Sequence, residues 1–289
     1  MAIDTYEALT DRIIATLESG VVPWRKPWKG GANAPQNRVS RRPYRGINSF
    51  ILGISPYSLP YWVTFKQAKD LGGSVRKGEK GTPVIFWKFL DRPQPDGTVG
   101  KFPMARTYYV FNLEQTEGVK PLVADQEAKE PVQVDPIAAC DAIVAGFQGC
   151  PQIAHGGSQA YYRPSTDTVH MPDRSSFLGS TEYYSTLFHE LGHSTGHSKR
   201  LDRDTLGGVH GFGDHSYSKE ELVAEFTAAF LCGEAGIAAS TVENSAAYIG
   251  HWLTKLRNDK KMAIQAAGHA QRAADHILSK AEPKDQDPE

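Results

Sequence analysis

Tyr6, Leu9, Ile13 and Leu17 recur every three or four positions, the apolar stripe of a helix over residues 4–20. Asp4 and Glu7 make a capping-box-like start and Gly20 a stop. Periodicity then lapses, so residues 21–31 and 37–48 read as loops. Thr64 can cap a short helix through Leu71, closed by Gly72-Gly73. Residues 83–90 (P-V-I-F-W-K-F-L) and 105–112 (A-R-T-Y-Y-V-F-N) are β-branched and aromatic, with a turn-rich connection over 92–100, which predicts a long hairpin.

Residues 115–135 are polar and bracketed by prolines, as a linker should be. Asp135 as cap and Pro136 at the first position then predict a helix to Phe147. Short strands are expected at 152–154, 160–163 and 168–171. Two helices follow. One covers 181–197, with Ser180 or Thr181 as cap and an apolar side from Leu187, Leu191 and the tyrosines; the other starts at Ser218 with Leu222, Phe226 and Ala229 on one face. Residues 245–280 read as alanine-rich helix with Tyr248, Trp252, Leu256, Ala263 and Ala267 as packing positions. The pattern predicts an α+β protein of two domains: a small basic α+β domain over 1–118, a linker over 119–134, an α+β domain over 135–280 and a disordered tail over 281–289.

The net charge of −1 conceals an asymmetry. Residues 1–120 hold 18 Lys+Arg against 10 Asp+Glu, net +8, whereas residues 121–289 hold 14 against 23, net −9. A basic half points to a polyanionic partner. Three cysteines without C-x-x-C spacing argue against a disulfide framework and suit a reducing compartment. The opening M-A-I-D-T-Y lacks a basic-then-apolar layout and no apolar run reaches membrane length, so a cytoplasmic protein without membrane contact is expected.

The basic half interleaves cations with rings: Trp24, Arg25, Lys26, Trp28, Arg38, Arg41, Arg42, Tyr44 and Arg45, then Arg76, Lys77 and Lys80 in a glycine-rich loop. That loop lacks the P-loop arrangement. Single-stranded nucleic acid needs this chemistry, cations along the phosphates and flat rings under unpaired bases. Composition serves equally a second reading, in which the tryptophans are core and the charges solvated.

The chemistry of the acidic half centres on His189-Glu190-Leu191-Gly192-His193, an H-E-x-x-H sequence. Imidazoles four apart on a helix share one face and can bind one metal, with Glu190 as general base toward the activated water. The H-E-x-x-H-x-x-G-x-x-H extension fails at Lys199, and His197 lies ~12 Å along a continuing helix from His189, so it is expected as a residue behind the ligands or at the helix end. Downstream, Glu221 and Glu225 form E-x-x-A-E, which resembles the gluzincin pattern. That resemblance implies Glu221 as third ligand and Glu225 as the carboxylate orienting a ligand His, with the reverse assignment, or a merely solvated acidic face, still open. Zn²⁺ is the expected ion; two His and a carboxylate also accept Mn²⁺ or another divalent transition metal. Tyr217, ahead of His210 and His215, is the candidate transition-state stabiliser. By resemblance to zincins, the strand at 168–171, containing His170, is expected to be the sheet edge onto which a substrate peptide adds.

The runs P-W-R-K-P-W, S-R-R-P-Y-R-G-I-N, W-V-T-F-K-Q-A, L-G-G-S-V-R-K-G-E-K-G and Y-Y-V-F-N resemble the N-terminal domain of ArdC-type antirestriction proteins, a domain shared with TraC-type primases. H-E-L-G-H-S-T-G-H and Y-S-K-E-E-L-V-A-E resemble that family's zincin-like metallopeptidase domain. The resemblance implies single-stranded DNA binding and plasmid-borne protection of incoming DNA from restriction during conjugation. Two other readings stand beside it: a DNA-coating protein with a structural metal, and a DNA-dependent protease whose substrate is a host restriction enzyme or another DNA-bound protein.

Overall fold

Leu9, Ile13 and Leu17 are fully buried along α1 (Thr5–Glu18). The computed structural model describes residues 5–25, 34–93, 99–119, 135–204, 215–237 and 246–280. Asp4, residues 120–134 of the expected linker and the tail at 281–289 lie outside the described residues.

A four-stranded sheet occupies the first half: β1 (Gln36–Asn37), β2 (Tyr61–Thr64), β4 (Thr82–Pro93) and β5 (Val99–Asn112), in the order β1-β2-β5-β4. The hairpin β4/β5 is longer than its pattern suggested, in register from Thr82↔Val110 to Pro93↔Val99. The expected Thr64 cap is present at α3 (Phe65–Asp70), as a reciprocal box with Gln67. A small ribbon pairs β3 (Ser74–Val75) with β6 (Thr116–Glu117). One helix, α2 (Gly46–Gly53), falls partly in a stretch read as loop. Every residue from Ile47 to Gly53 is buried, so no polar face exists to mark a helical period. Asn48 fastens it to β4, donating to the Ile85 carbonyl (2.6 Å) and accepting from the Ile85 N–H (2.7 Å).

In the second half Asp135 caps α4 (Pro136–Gly146) as expected, accepting from the Ile137 N–H at 3.0 Å. Strands β7 (Gln152–His155), β8 (Tyr161–Arg163) and β9 (Thr168–Met171) form a sheet ordered β7-β9-β8. This corrects the edge-strand expectation. β9 is the central strand, parallel to β7 and antiparallel to β8, and has no free edge for a peptide. Its His170 stacks on Tyr161 at 4.5 Å. α5 (Ser180–Ser194) begins after Gly179 with no side-chain cap, so neither Ser180 nor Thr181 serves; the Glu182 carboxylate takes the Leu178 N–H instead, at 2.7 Å. α6 (His215–Ala235) follows, and the alanine-rich stretch divides into α7 (Ala246–Asn258) and α8 (Met262–Ile277). The break lies where the Asp259 carboxylate accepts from the Lys261 N–H.

The halves share a core. Leu222, Val223, Phe226 and Ala229 of α6 cluster with Leu9, Ile13, Leu17, Phe50 and Ile51 from the first half and with Trp252, Leu256, Met262 and Ala266 from α7 and α8. Trp24 sits at the centre, 1% exposed, edge-on to Phe226 and Trp252 (centroids 5.5 Å from each), with its indole N–H donating to Tyr248 at 3.1 Å. A ring so enclosed offers no face to a base, and Trp24 leaves the nucleic-acid set. A second core packs α5 on the small sheet through Val169, Met171, Tyr183, Leu187, Phe188 and Leu191, and a third seals the larger sheet at Tyr44, Leu52, Trp62, Val84 and Val110.

Removing the Trp24 ring should cost about 3–5 kcal/mol, by analogy with other large-to-small core changes. Because its neighbours belong to α6 and α7, Trp24→Ala is expected to lower one common transition in calorimetry. Independent melting of the first half, with the second unshifted, would contradict the shared core.

Candidate metal centre

On α5 the four-residue spacing brings the Nε2 atoms of His189 and His193 to 3.2 Å. From α6, Glu221 places Oε2 at 3.6 Å from the first and Oε1 at 3.4 Å from the second. Among the described residues this is the one group whose three ligand atoms converge, all within 4.8 Å. Bonds of the usual length to a tetrahedral ion would set such atoms about 3.3 Å apart. The donor set therefore fits a first-row divalent metal.

Helix contact permits this convergence. A Cβ on Gly192 would lie 3.1 Å from the Ala224 Cα and 3.2 Å from the Thr227 Cβ. Glycine lets α6 press against α5 one turn beyond Glu221. Arg203 then locks the pair: its guanidinium donates to the Gly192 carbonyl (2.9 Å), the Thr195 hydroxyl (2.6 Å) and both Glu220 oxygens (2.5 and 3.1 Å). Glu220 in turn lies 3.6 Å from Nδ1 of His193, on the side of the ring away from the ligand cluster. Arg203 and Glu220 are both buried.

Glu225 is placed otherwise than expected. Its carboxylate accepts from Tyr248 (2.6 Å) and Arg25 (3.2 Å), and the Arg25 guanidinium stacks over the Tyr248 ring at 4.1 Å. The carboxylate beside the Nδ1 of His193 is that of Glu220. The adjacent Glu220-Glu221 doublet and an arginine shortly after α5 were the available signals. His197 lies past the helix end, its Nδ1 accepting from the Lys199 N–H, and is outside the cluster. His210 and the His215 side chain are outside the described residues.

The electrostatics suit cation capture. Burial pushes His189 down, but the adjoining Glu221 carboxylate and the charges of Glu190 and Glu225 prevail and lift it to about 9. Burial raises the Glu221 carboxyl, yet His189, His193 and a hydrogen bond from Tyr217 hold it down at about 2. Tyr217 is pushed up to about 12 by burial and by Glu221 and Glu190. Glu190 itself is 7% exposed.

The basic set is divided by the fold. Arg25 pairs with Glu225, Arg38 and Tyr44 are buried, and Arg45 pairs with Asp275 of α8. Arg25 and Arg45 thus tie the first half to α6 and α8, while Arg38 and Tyr44, like Trp24, leave little surface for a nucleic acid. Arg41, Arg42, Arg76, Lys77 and Lys80 are exposed; Lys26 and Trp28 lie outside the described residues.

With His189 protonated at neutral pH, metal uptake must displace a proton. Affinity for Zn²⁺ or Mn²⁺ should thus climb about tenfold per pH unit toward pH 9 and flatten above, while calorimetry in two buffers counts the released proton. A flat pH profile would refute the assignment. Gly192→Ala should lower stability by about 1–3 kcal/mol through overpacking and weaken metal binding as α6 is displaced, read by thermal melts and metal titration.

Residues 139–269 match the family model of a zincin-like metallopeptidase, and residues 3–111 that of the N-terminal domain of anti-restriction factor ArdC. The antirestriction ArdC protein of the R388 plasmid, solved metal-free and Mn(II)-bound, is 36% identical, with a TM-score of 0.75 to either form over 96% of this chain and 97% or 98% of theirs. An uncharacterized protein of Sinorhizobium fredii, y4eC, is 37% identical over 94% of this chain and 91% of its own. Two Escherichia coli DNA primases named TraC are 36% identical over 95% of this chain, which spans only 27% and 20% of their lengths. Matched along both halves, and superposing on a whole relative, this chain belongs to the ArdC family of antirestriction proteins.

Proposed function

We propose that this protein shields incoming plasmid DNA from host restriction by combining single-strand binding with metal-dependent peptide hydrolysis in the cytoplasm. The observation that carries the hydrolytic part is the convergence of His189, His193 and Glu221 beside a buried Glu190. A divalent ion there, Zn²⁺ by its donor set or Mn²⁺ as in the R388 relative, would supply Lewis acidity that makes water a nucleophile near neutral pH. Glu190 receives the proton of the attacking water and passes it to the departing amine nitrogen. Tyr217, kept protonated far above neutrality, donates a hydrogen bond to the developing oxyanion. Arg203 and Glu220 hold His193 in its orientation. The substrate class is a protein on the DNA, a restriction enzyme being the natural target. The exposed cations Arg41, Arg42, Arg76, Lys77 and Lys80 serve DNA in this reading. Among the described residues no helix is long and apolar enough to cross a membrane.

A second reading, a DNA-coating protein with a structural metal, draws on the placement of Glu221 on the helix that carries the shared core. Glu190→Gln separates the two. It should keep the metal, lower hydrolysis by about 10²–10⁴-fold, and abolish protection in a recipient-cell restriction assay at matched protein levels. Protection at the unmodified level would instead assign the activity to DNA coating.

A further inference from the structure

Among the described residues, the rings first read as stacking on bases, Trp24 and Tyr44, are buried, and the hairpin β4/β5 offers an open apolar face instead. Register places Phe86, Lys88, Leu90 and Arg92 of β4 on the same face as Tyr108, Arg106, Met104 and Phe102 of β5. The root of this face is sealed: Val84 and Val110 are buried with Tyr44, Leu52 and Trp62, and Phe86 rests on Tyr44 and Tyr108. Farther out it opens. Leu90 is 40% exposed, Phe102 42% and Met104 36%, and Lys88, Arg92 and Arg106 are exposed between them. The Arg92 guanidinium lies 5.5 Å from the Phe102 ring centroid. On the opposite face Ile85 and Ala105 pack into the core shared with α1 and Trp87 leans on Tyr6 of α1, and its exposed rings, Trp87 and Tyr109, stand beside no exposed arginine or lysine of the hairpin among the described side chains.

We infer that this outer face of the hairpin is the platform on which single-stranded nucleic acid lies, bases against Phe102 and its apolar neighbours and phosphates along Lys88, Arg92 and Arg106. The proposal rests on the single-strand reading above. Charge selects the occupant: three cations and no carboxylate share the face, since Asp91 of β4 alternates to the other side, opposite Lys101. A docking face for an apolar protein partner would have no need of such one-signed charge. An exposed ring flanked by apolar side chains on an open sheet is useful only to bases that are unpaired, which favours single strands over duplex. Lys88 and Arg92 stand about 13 Å apart along the strand, so the cations bracket the apolar patch and do not cover it.

The test is fluorescence anisotropy of labelled oligothymidylate with the full chain across a salt series. The unmodified protein should bind with a steep salt dependence. Phe102→Ala should weaken binding on the order of tenfold at fixed salt. K88A/R92A/R106A should reduce the salt slope by about 2, as three lost phosphate contacts on a single strand require. Thermal melts check that these exposed substitutions leave the fold intact. Photocrosslinking of an iodouracil oligomer should label the 99–112 strand. If the unmodified protein does not bind, the single-strand reading and the platform fall together. If it binds, and the hairpin variants bind equally while R41A/R42A loses affinity, the platform alone is overturned.

Discussion

The close approach of α5 and α6 at Gly192 is the contact on which the metal centre depends. Two histidines on one helix supply only half of a tetrahedral donor set, and the third donor must come from a second backbone held at glycine distance. A side chain at position 192 would meet Ala224 and Thr227 before Glu221 could reach the histidines. Arg203 secures the same junction by filling the α5 carbonyl at Gly192 and neutralising Glu220 in one planar fork. Breaking a buried pair of this kind costs about 3–5 kcal/mol, so the guanidinium is a structural fastener as much as an electrostatic one.

That α6 is central explains its composition. It is buried against α5 on one side and against the first-half helices on another, while Glu220, Glu221 and Glu225 leave it toward three different partners: Arg203, the ligand histidines, and the Arg25–Tyr248 pair. These three of the helix's four carboxylates are tolerated against packed neighbours because each meets a donor or cation. Arg25, read from composition as a DNA contact, ties the first half to the helix that carries Glu221.

What was legible in the sequence was local. The i, i+4 histidines, the Thr64 and Asp135 caps and the hairpin all follow from spacing within a few residues, and all are present. What escaped depended on tertiary phase. α2 has no polar face to make a stripe, and composition cannot distinguish a stacking tryptophan from a core one, so Trp24 and Tyr44 stood equally well in either place. Resemblance to the gluzincin pattern implied Glu225 as the orienting carboxylate, with the reverse assignment open. The rotation of α6 about its axis, set at Gly192 and Ala224, turned Glu220 toward His193 instead. The place of the strand at 168–171 within its sheet was likewise a matter of topology, invisible to a period of two.

The core shared by α1, Trp24 and α6 also bears on inheritance. A recombination event that carried off only one half would strip an apolar flank from α6 and leave the other half with unfilled volume. A half inherited alone would need new apolar cover for that flank. The two TraC primases fit this: their similarity spans 95% of the present chain while occupying 27% and 20% of their own lengths, as if the two-part unit were a single transferable module.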